Sequence, residues 1–366
     1  MATKKPVAKT VVAELEKGKT KKVAKYITTG NTIRDLQIGG GEGMGYKVGK
    51  GYNIISWSSV GKSYLIVQSI AVNYLKLGKK FKWNLDIAER GDSFDSAKIY
   101  GMDRPFIDED TLVSDTVEDF YTNVRAFADT IKKDEIGFYA LDSLDGITSK
   151  EMIERGDKRY EAFKKDKAFD EGTYAMSKAK FLSGEFFPQI MSILAEKNIV
   201  LVIISQLRSN IGASKYDKQS TRAGGKALDF YCHTIEELGI LDKKEMEDEK
   251  YQRRAGIPIK STNIKSKTAR PFRVANMVLD YSIGIDDIAG NIDFLYDLRS
   301  PTGKLRGTKV EKNKLQWDES SEEKYTRNEL CDYIYDNELE AELITRVVTK
   351  WEEIEASLVN RRKPRF

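Results

Sequence analysis

Short apolar, β-type runs recur along the first three quarters of the chain: Asn53–Ile55, Lys82–Ile87, Ile136–Asp142 and Ile199–Ser205. Between them lie longer stretches whose apolar residues fall at near-helical spacing. Tyr64–Gly78 is one; Val117–Lys133 is another, with Phe120, Val124, Phe127 and Ile131 on one stripe. Apolar strands alternating with amphipathic helices predict an α/β fold, a mostly parallel sheet covered on both faces. A more β-rich stretch follows, Ile259–Lys267 and Phe272–Gly284. The glycine-rich Gly39–Gly45 is expected to be a loop leading into the first core strand, because that many glycines weaken either a helix or a strand. Residues 148–180 interleave both signs of charge and read as a solvated helix or a loop. Leu241–Arg254 reads as a surface excursion. Beyond about residue 290 the pattern is charged and helical, ending in a basic NRRKPRF.

Composition narrows the chemistry. Hydrophobic residues make up 40% of the 366, enough for a sizeable core, and the formal net charge is only +4, so any polyanion site has to be a local patch. The two cysteines, Cys232 and Cys331, match no metal-ligand spacing, and His233 is the sole histidine. Histidine-based zinc sites and nearly all histidine acid/base chemistry are thereby excluded. No apolar run approaches the ~20 residues of a membrane span, and the basic start lacks the apolar core of a signal peptide; a cytoplasmic chain is expected. Residues 1–25 carry eight lysines and two glutamates. They read either as a basic tail or, with a short helix over Val11–Gly18, as an oligomerisation segment.

The stretch SWSSVGKS, Ser56 to Ser63, follows a β-type run and opens a helical one, the context a phosphate-binding P-loop requires. Backbone N–H groups of Ser56, Trp57, Ser58, Ser59, Val60, Gly61, Lys62, Ser63 and Tyr64 would converge on phosphate oxygens. Gly61 permits close approach, Lys62 places a cation on the β- and γ-phosphates of ATP, and Ser63 offers a hydroxyl to Mg2+. Ser56 stands where the usual pattern has its first glycine. If that position required positive φ, the substitution would be strained by about 1 kcal/mol or more. Asp142, closing an apolar run, supplies a second Mg2+-associated group. Asp86 and Glu89, at the end of another run, both qualify to orient the attacking water, and the pattern does not choose between them. Gln206, at the end of a fourth run, is placed to sense a γ-phosphate.

Four segments together resemble the RecA recombinase family: Gln206–Tyr231, with its GG-x-AL-x-FY ending; Asn263–Phe272, a K-x-K strand before PF; Thr28–Gly41, the approach to the phosphate loop; and AERGD, Ala88–Asp92, which resembles the family segment carrying the catalytic glutamate. The resemblance spans about residues 26–285. It implies a RecA-like P-loop ATPase core over 31–288, with a short N-terminal helical or basic segment at 1–30 and a small C-terminal region at 289–366. It implies a DNA-dependent ATPase with catalytic Glu89, Lys62 and Gln206, and with Lys265 and Lys267 reaching the nucleotide of an adjacent protomer. It further implies a DNA-binding loop over 207–224, carrying Arg208, Asn210, Gly212, Lys215, Lys218, Arg222, Gly224 and Gly225, that makes backbone contacts without base readout. The partners implied are single-stranded DNA, homologous duplex DNA and copies of the chain itself in a helical filament, with no membrane. The setting implied is a bacterial or phage-infected host cell. Ser96 stands where the family has an adenine-stacking tyrosine; Tyr100 or Phe94 would substitute. Two alternatives stand beside this one: a hexameric helicase-type ATPase on the same core, which shares the strands, Lys62 and Asp142 but lacks the GG-x-AL-x-FY segment, and an ATP-independent DNA-binding scaffold whose P-loop Ser56 has disabled.

Overall fold

The structure is a computed structural model that describes residues 26–39, 43–89, 99–103, 105–166, 177–210, 220–242, 246–248, 253–299, 305, 315–318, 320, 322–359 and 362. The Val11–Gly18 segment, Phe94 and Ser96 lie outside them.

Nine strands form one sheet: β1 (Gly51–Ser56), β2 (Phe81–Asp86), β3 (Ile136–Leu141), β4 (Ile199–Ser209), β5 (Ser220–Arg222), β6 (Thr234–Ile240), β7 (Gly256–Ser266), β8 (Val274–Asp280) and β9 (Gly284–Asp286). The order is β9-β8-β7-β6-β1-β4-β3-β2, with β5 paired to β4. From β6 to β2 the pairing is parallel; β7, β8 and β9 extend the sheet antiparallel. The four apolar runs of the sequence are therefore parallel strands β1 to β4, with β2 at the edge of the sheet, and the β-rich stretch is the antiparallel extension.

The helices are α1 (Thr32–Gly39), α2 (Lys62–Leu77), α3 (Val117–Thr130), α4 (Lys150–Lys164), α5 (Ser177–Phe181), α6 (Phe187–Glu196), α7 (Gly225–Tyr231), α8 (Asp287–Leu295), α9 (Arg327–Asp336) and α10 (Glu340–Ser357), with a π-helical turn over Leu182–Phe186 joining α5 to α6. The pleat sends alternate residues to opposite faces. Ile54, Phe138, Val200, Val202 and Ile204 pack with Leu65, Ile66 and Ile70 of α2. Ile55, Tyr139, Leu141, Leu201 and Ile203 pack with Phe120, Val124 and Phe127 of α3 and Ile190 and Leu194 of α6. Buried on both faces, these strands are continuous apolar runs, which is why the sequence reveals them. Helix α3 starts on a capping box between Thr116 and Asp119. It ends before Ile131, which caps its C-terminus and stays buried.

Helix α1 was not expected from the sequence. All eight of its residues are buried, including Arg34, Asp35 and Gln37, so it has no polar face to reveal a helical period. Asn31 caps it, accepting the Arg34 N–H at 2.9 Å. Inside, Arg34 pairs with Glu236 of β6 at 2.8 Å. The outer side of α1 meets a third core, built from Ile292 and Leu298 with Leu330, Ile334, Leu343, Val347 and Trp351 of α9 and α10. The residue 288/289 boundary drawn from the sequence falls inside α8. Within the charge-dense 148–180 stretch, α4 forms a solvated helix with no buried residue. Among the described residues no helix is long and apolar enough to cross a membrane.

Candidate nucleotide site and the base of the adjoining loop

The parallel register gathers the predicted chemistry at one edge of the sheet. Ser56 ends β1 opposite Gln206 of β4, Asp86 ends β2 opposite Leu141 of β3, and Asp142 follows immediately. The crevice outside the carboxyl ends of parallel strands is where open α/β sheets bind ligands.

Ser56 is buried in extended strand conformation, and the strained position in the loop is Ser59, at φ 61°. The feared backbone cost at Ser56 is absent, because the chain turns only after Trp57. Ser56→Gly is accordingly expected to change ATP affinity by less than about threefold, or ~0.7 kcal/mol, in a fluorescent-nucleotide titration; a tenfold gain would show that the loop demands glycine once nucleotide binds. Gly61 is a different case. Its φ is 91°, and a Cβ there would lie 2.8 Å from Leu279 Cδ2 and 3.0 Å from Ile259 Cδ1. Helix α2 begins at the next residue, so its first N–H groups face the loop. Trp57, Ser58 and Ser59 are exposed around it, while Val60 is buried and anchors it.

Lys62 Nζ donates to Ser56 Oγ at 3.0 Å and to the Trp57 carbonyl at 2.9 Å. Burial holds its ammonium below the ordinary lysine value, against the pull of Asp142, Glu89 and Asp145. Ser63 Oγ donates to Asp142 Oδ2 at 2.5 Å. Burial raises the Asp142 carboxyl, and the Glu89 charge adds to the rise. Among the described residues no group of three metal-ligating side chains converges. One hydroxyl and one crowded carboxylate fit a Mg2+ that takes its remaining ligands from phosphate and water, and its charge would relieve the Asp142–Glu89 repulsion.

The choice between Asp86 and Glu89 is decided by their partners. Asp86 is fully buried and saturated: it accepts from Ser114 N at 2.9 Å, Ser114 Oγ at 2.5 Å and Tyr139 OH at 2.7 Å. It braces β2 to its neighbours. Glu89 is exposed at the sheet edge, and its Oε1 accepts from Ser143 Oγ at 2.5 Å and from Gln206 Nε2 at 2.9 Å. Of the two carboxylates, Glu89 is therefore the solvent-exposed one and Asp86 the one fully engaged inside the fold.

Gln206 also leads, through the end of β4, into the adjoining loop. The sequence suggested an irregular 207–224; its base is in fact a short hairpin, with Leu207 opposite Arg222 and Ser209 opposite Ser220. Arg208 is exposed and lies 3.0 Å from Asp145. Asn210 is exposed at the hairpin's end. Gly212, Lys215 and Lys218 lie outside the described residues. Arg222, expected as a DNA contact, is engaged within the fold instead: its guanidinium donates to Asn53 Oδ1 at 2.8 Å and pairs with Asp229. Gly224 (φ 89°) caps α7, where a Cβ would meet Leu144 at 2.8 Å and Leu228 at 2.9 Å, and Gly225 follows with φ 57°.

Lys265 and Lys267 occupy the far half of the sheet. Lys265 pairs with Ile235 near the start of β6, level with Asn53 rather than with Ser56. Their ammonium groups donate to the last carbonyls of α7: Lys265 to Asp229, Phe230 and Cys232, and Lys267 to Phe230 at 2.8 Å. Cations suit a helix C-terminus. At ~3.3 Å per residue, the length of β1 keeps them on the order of 10 Å or more from their own chain's phosphate loop.

Two groups were missed by the sequence reading. Tyr281 follows β8, and its ring lies 6.2 Å from that of Tyr64, beside the start of α2; the pair offers an aromatic surface next to the phosphate loop. Tyr100, which was expected there, is tucked against Gly284 and donates to Gln68 Oε1 at 3.3 Å. The other is Asp145. Its only signal in the sequence was its place three residues after Asp142.

This fold and this loop define a P-loop nucleotide-binding core. The RecA N-terminal domain model matches residues 2–286, and the chain belongs to the RecA family, whose members are ATP-binding proteins of DNA recombination and repair. It is 28% identical over 272 residues to a protein RecA of Sulfurovum sp., covering 73% of this chain and 69% of that one. It is 26% identical over 275 residues to a protein RecA of Phytoplasma mali, covering 74% and 72%. A shorter match, 31% over 158 residues, joins 40% of the chain to 43% of a protein RecA of Mycoplasma mycoides. A RadB recombinase crystal structure superposes with a TM-score of 0.46 at 14% identity, covering 71% of this chain and 99% of that one.

Proposed function

We propose that the chain is a DNA-dependent ATPase that assembles as a filament on single-stranded DNA and promotes pairing and exchange with a homologous duplex. The observation that carries this reading is the hydrogen bond between Glu89 and Gln206. One partner is the carboxylate beside the phosphate loop, and the other is the strand residue that leads into the basic loop. A side chain shared in this way can report nucleotide state to DNA.

ATP would sit over Ser56–Ser63, with Tyr64 and Tyr281 beside it. Mg2+, held by Ser63 and Asp142 together with the phosphates, would neutralise charge developing on the transferred phosphoryl group. Lys62 would leave the Trp57 carbonyl for phosphate oxygens. Glu89 would take the proton of the attacking water. Gln206 would turn its amide from Glu89 toward the γ-phosphate, drawing β4 and the loop base with it. Arg208 and the lysines of 211–219 would then meet the DNA backbone, an arrangement suited to sequence-independent binding. The remoteness of Lys265 and Lys267 from their own loop supports a filament: they can complete only a neighbour's site. The extended backbone at Ser56 favours a working loop over an inert scaffold.

The test is ATP hydrolysis with and without single-stranded DNA, beside a Lys62→Ala control. Stimulation of tenfold or more by DNA, lost in the control, is the expected result. Intact DNA binding with no hydrolysis and no response to ATP would overturn it in favour of the scaffold; closed rings in negative stain would favour the helicase-type ATPase.

A further inference from the structure

Asp145 sits in the turn after β3, and that turn is fixed on both sides. Leu144 N–H donates to the Ile204 carbonyl of β4 at 2.9 Å, and Gly146 N–H donates to the Ser143 carbonyl at 3.0 Å. A Cβ on Gly146 would lie 2.9 Å from Glu89 Cγ, so the turn is pressed against the residue that faces the phosphate loop. Lys178 of α5 closes the other side by donating to the Leu144 and Ile147 carbonyls. The Asp145 carboxylate, only 4% exposed, then has two partners. Oδ2 accepts the Gln206 main-chain N–H at 2.7 Å. Oδ1 lies 3.0 Å from Arg208 Nη2, yet it has no aligned hydrogen bond. The Arg208 side chain is 64% exposed. The main-chain bond is therefore well made, while the ion pair is a charge contact that a better-aligned anion can take over.

We propose that Asp145 is a positioning residue that holds Gln206 and Arg208 in the DNA-free arrangement, so that DNA has to take Arg208 from a carboxylate in order to bind. This rests on the reading of 207–224 as a DNA-binding loop. One carboxylate grips both the nucleotide-sensing residue and the first cation of the loop. When Gln206 swings toward nucleotide, its main chain pulls on Asp145 Oδ2 and moves Arg208 away from Oδ1. ATP binding then frees a cation for phosphate. Without ATP that cation stays neutralised, and DNA binds weakly.

The experiment measures the Kd of a fluorescent oligo-dT by anisotropy, without nucleotide and with ATPγS, for the full chain, Asp145→Asn, Arg208→Ala and the double variant. The amide of Asp145→Asn still accepts the Gln206 N–H but carries no charge. Asp145→Ser provides a second removal of the charge should the amide disturb packing, and far-UV circular dichroism identifies folded variants. Without nucleotide, Asp145→Asn is expected to tighten binding about fivefold, the upper end for a pair with one exposed member. With ATPγS the gain is expected to be smaller, so the tightening by nucleotide shrinks. In the Arg208→Ala background the gain should vanish. An unchanged Kd in a folded charge-removal variant, or an equal gain with Arg208 absent, overturns the proposal while the DNA-binding reading stands. Failure of the unmodified chain to bind the oligonucleotide in either state overturns that reading, and the proposal with it.

Discussion

Glu89→Gln is expected to lower kcat for ATP hydrolysis on single-stranded DNA by about 10²- to 10⁴-fold, the range a positioned general base contributes. ATP and DNA affinity should change by less than about threefold, because the amide occupies the same volume and Glu89 carries no structural load. It is exposed, and its two hydrogen bonds, from Ser143 and Gln206, have donors that an amide oxygen can also serve. The ability to take a proton is lost, together with the charge that acts on Lys62 and Asp142. A coupled-enzyme assay with a nucleotide titration separates the outcomes, and kcat within fivefold of the unmodified chain would remove Glu89 from the chemistry. Asp86→Asn makes the internal contrast. Asp86 accepts three hydrogen bonds in full burial, so its loss should appear in the unfolding midpoint of the variant rather than selectively in kcat.

The second large effect concerns stability. Glu236→Ala is expected to destabilise the chain by about 3–5 kcal/mol, the cost of stripping one partner from a buried ion pair. Glu236 receives Arg34 Nε and Nη2, each at 2.8 Å, and Ser261 Oγ at 2.6 Å. Without it the Arg34 charge would remain in the core with only Tyr46 OH, at 2.7 Å, as a side-chain acceptor. Arg34 Nη1 already lacks an acceptor. The pair is therefore an expensive way to fasten α1 to β6, and its loss should also loosen the C-terminal helices that share the third core with α1. Urea unfolding followed by circular dichroism measures the shift. Replacing both residues, Arg34→Met with Glu236→Leu, is expected to recover most of the loss, because no orphaned charge is left. A single variant within 1 kcal/mol of the parent would mean that the pair is dispensable.

The parts of the fold legible in the sequence are those where one local rule acts alone. Ile199–Ser205 reads as a strand because burial on both faces makes it continuously apolar. Val117–Lys133 reads as a helix because only one stripe is buried. The charge-dense stretch at 148–180 fits helix and loop equally well in its pattern, since α4 has no buried stripe to announce it. Helix α1 was illegible for the opposite reason: with all eight residues buried its polar groups are satisfied by distant partners, Glu236, Ser261 and Asp287 among them. Arg222 looked like a DNA contact because basic loop residues usually face solvent, yet Asn53, 169 residues away, accepts its guanidinium.

The candidate site divides along the same line. The phosphate loop and the candidate Asp142 were legible in the chain alone, because a strand, a glycine-bearing turn, a lysine and a hydroxyl at fixed short spacing form a local chemical unit. It also supplied Gln206 and the basic loop, through the order of their residues. The packing of the chain was needed to separate buried Asp86 from exposed Glu89, to show Ser56 in extended backbone, to set Lys265 and Lys267 at the far half of the sheet, and to bring Asp145 to Gln206 and Arg208. Those outcomes depend on strand register and burial, and parallel strands acquire their register from crossover helices and from neighbours distant in the chain, as with Phe81 beside Ile136 and Tyr52 beside Thr234.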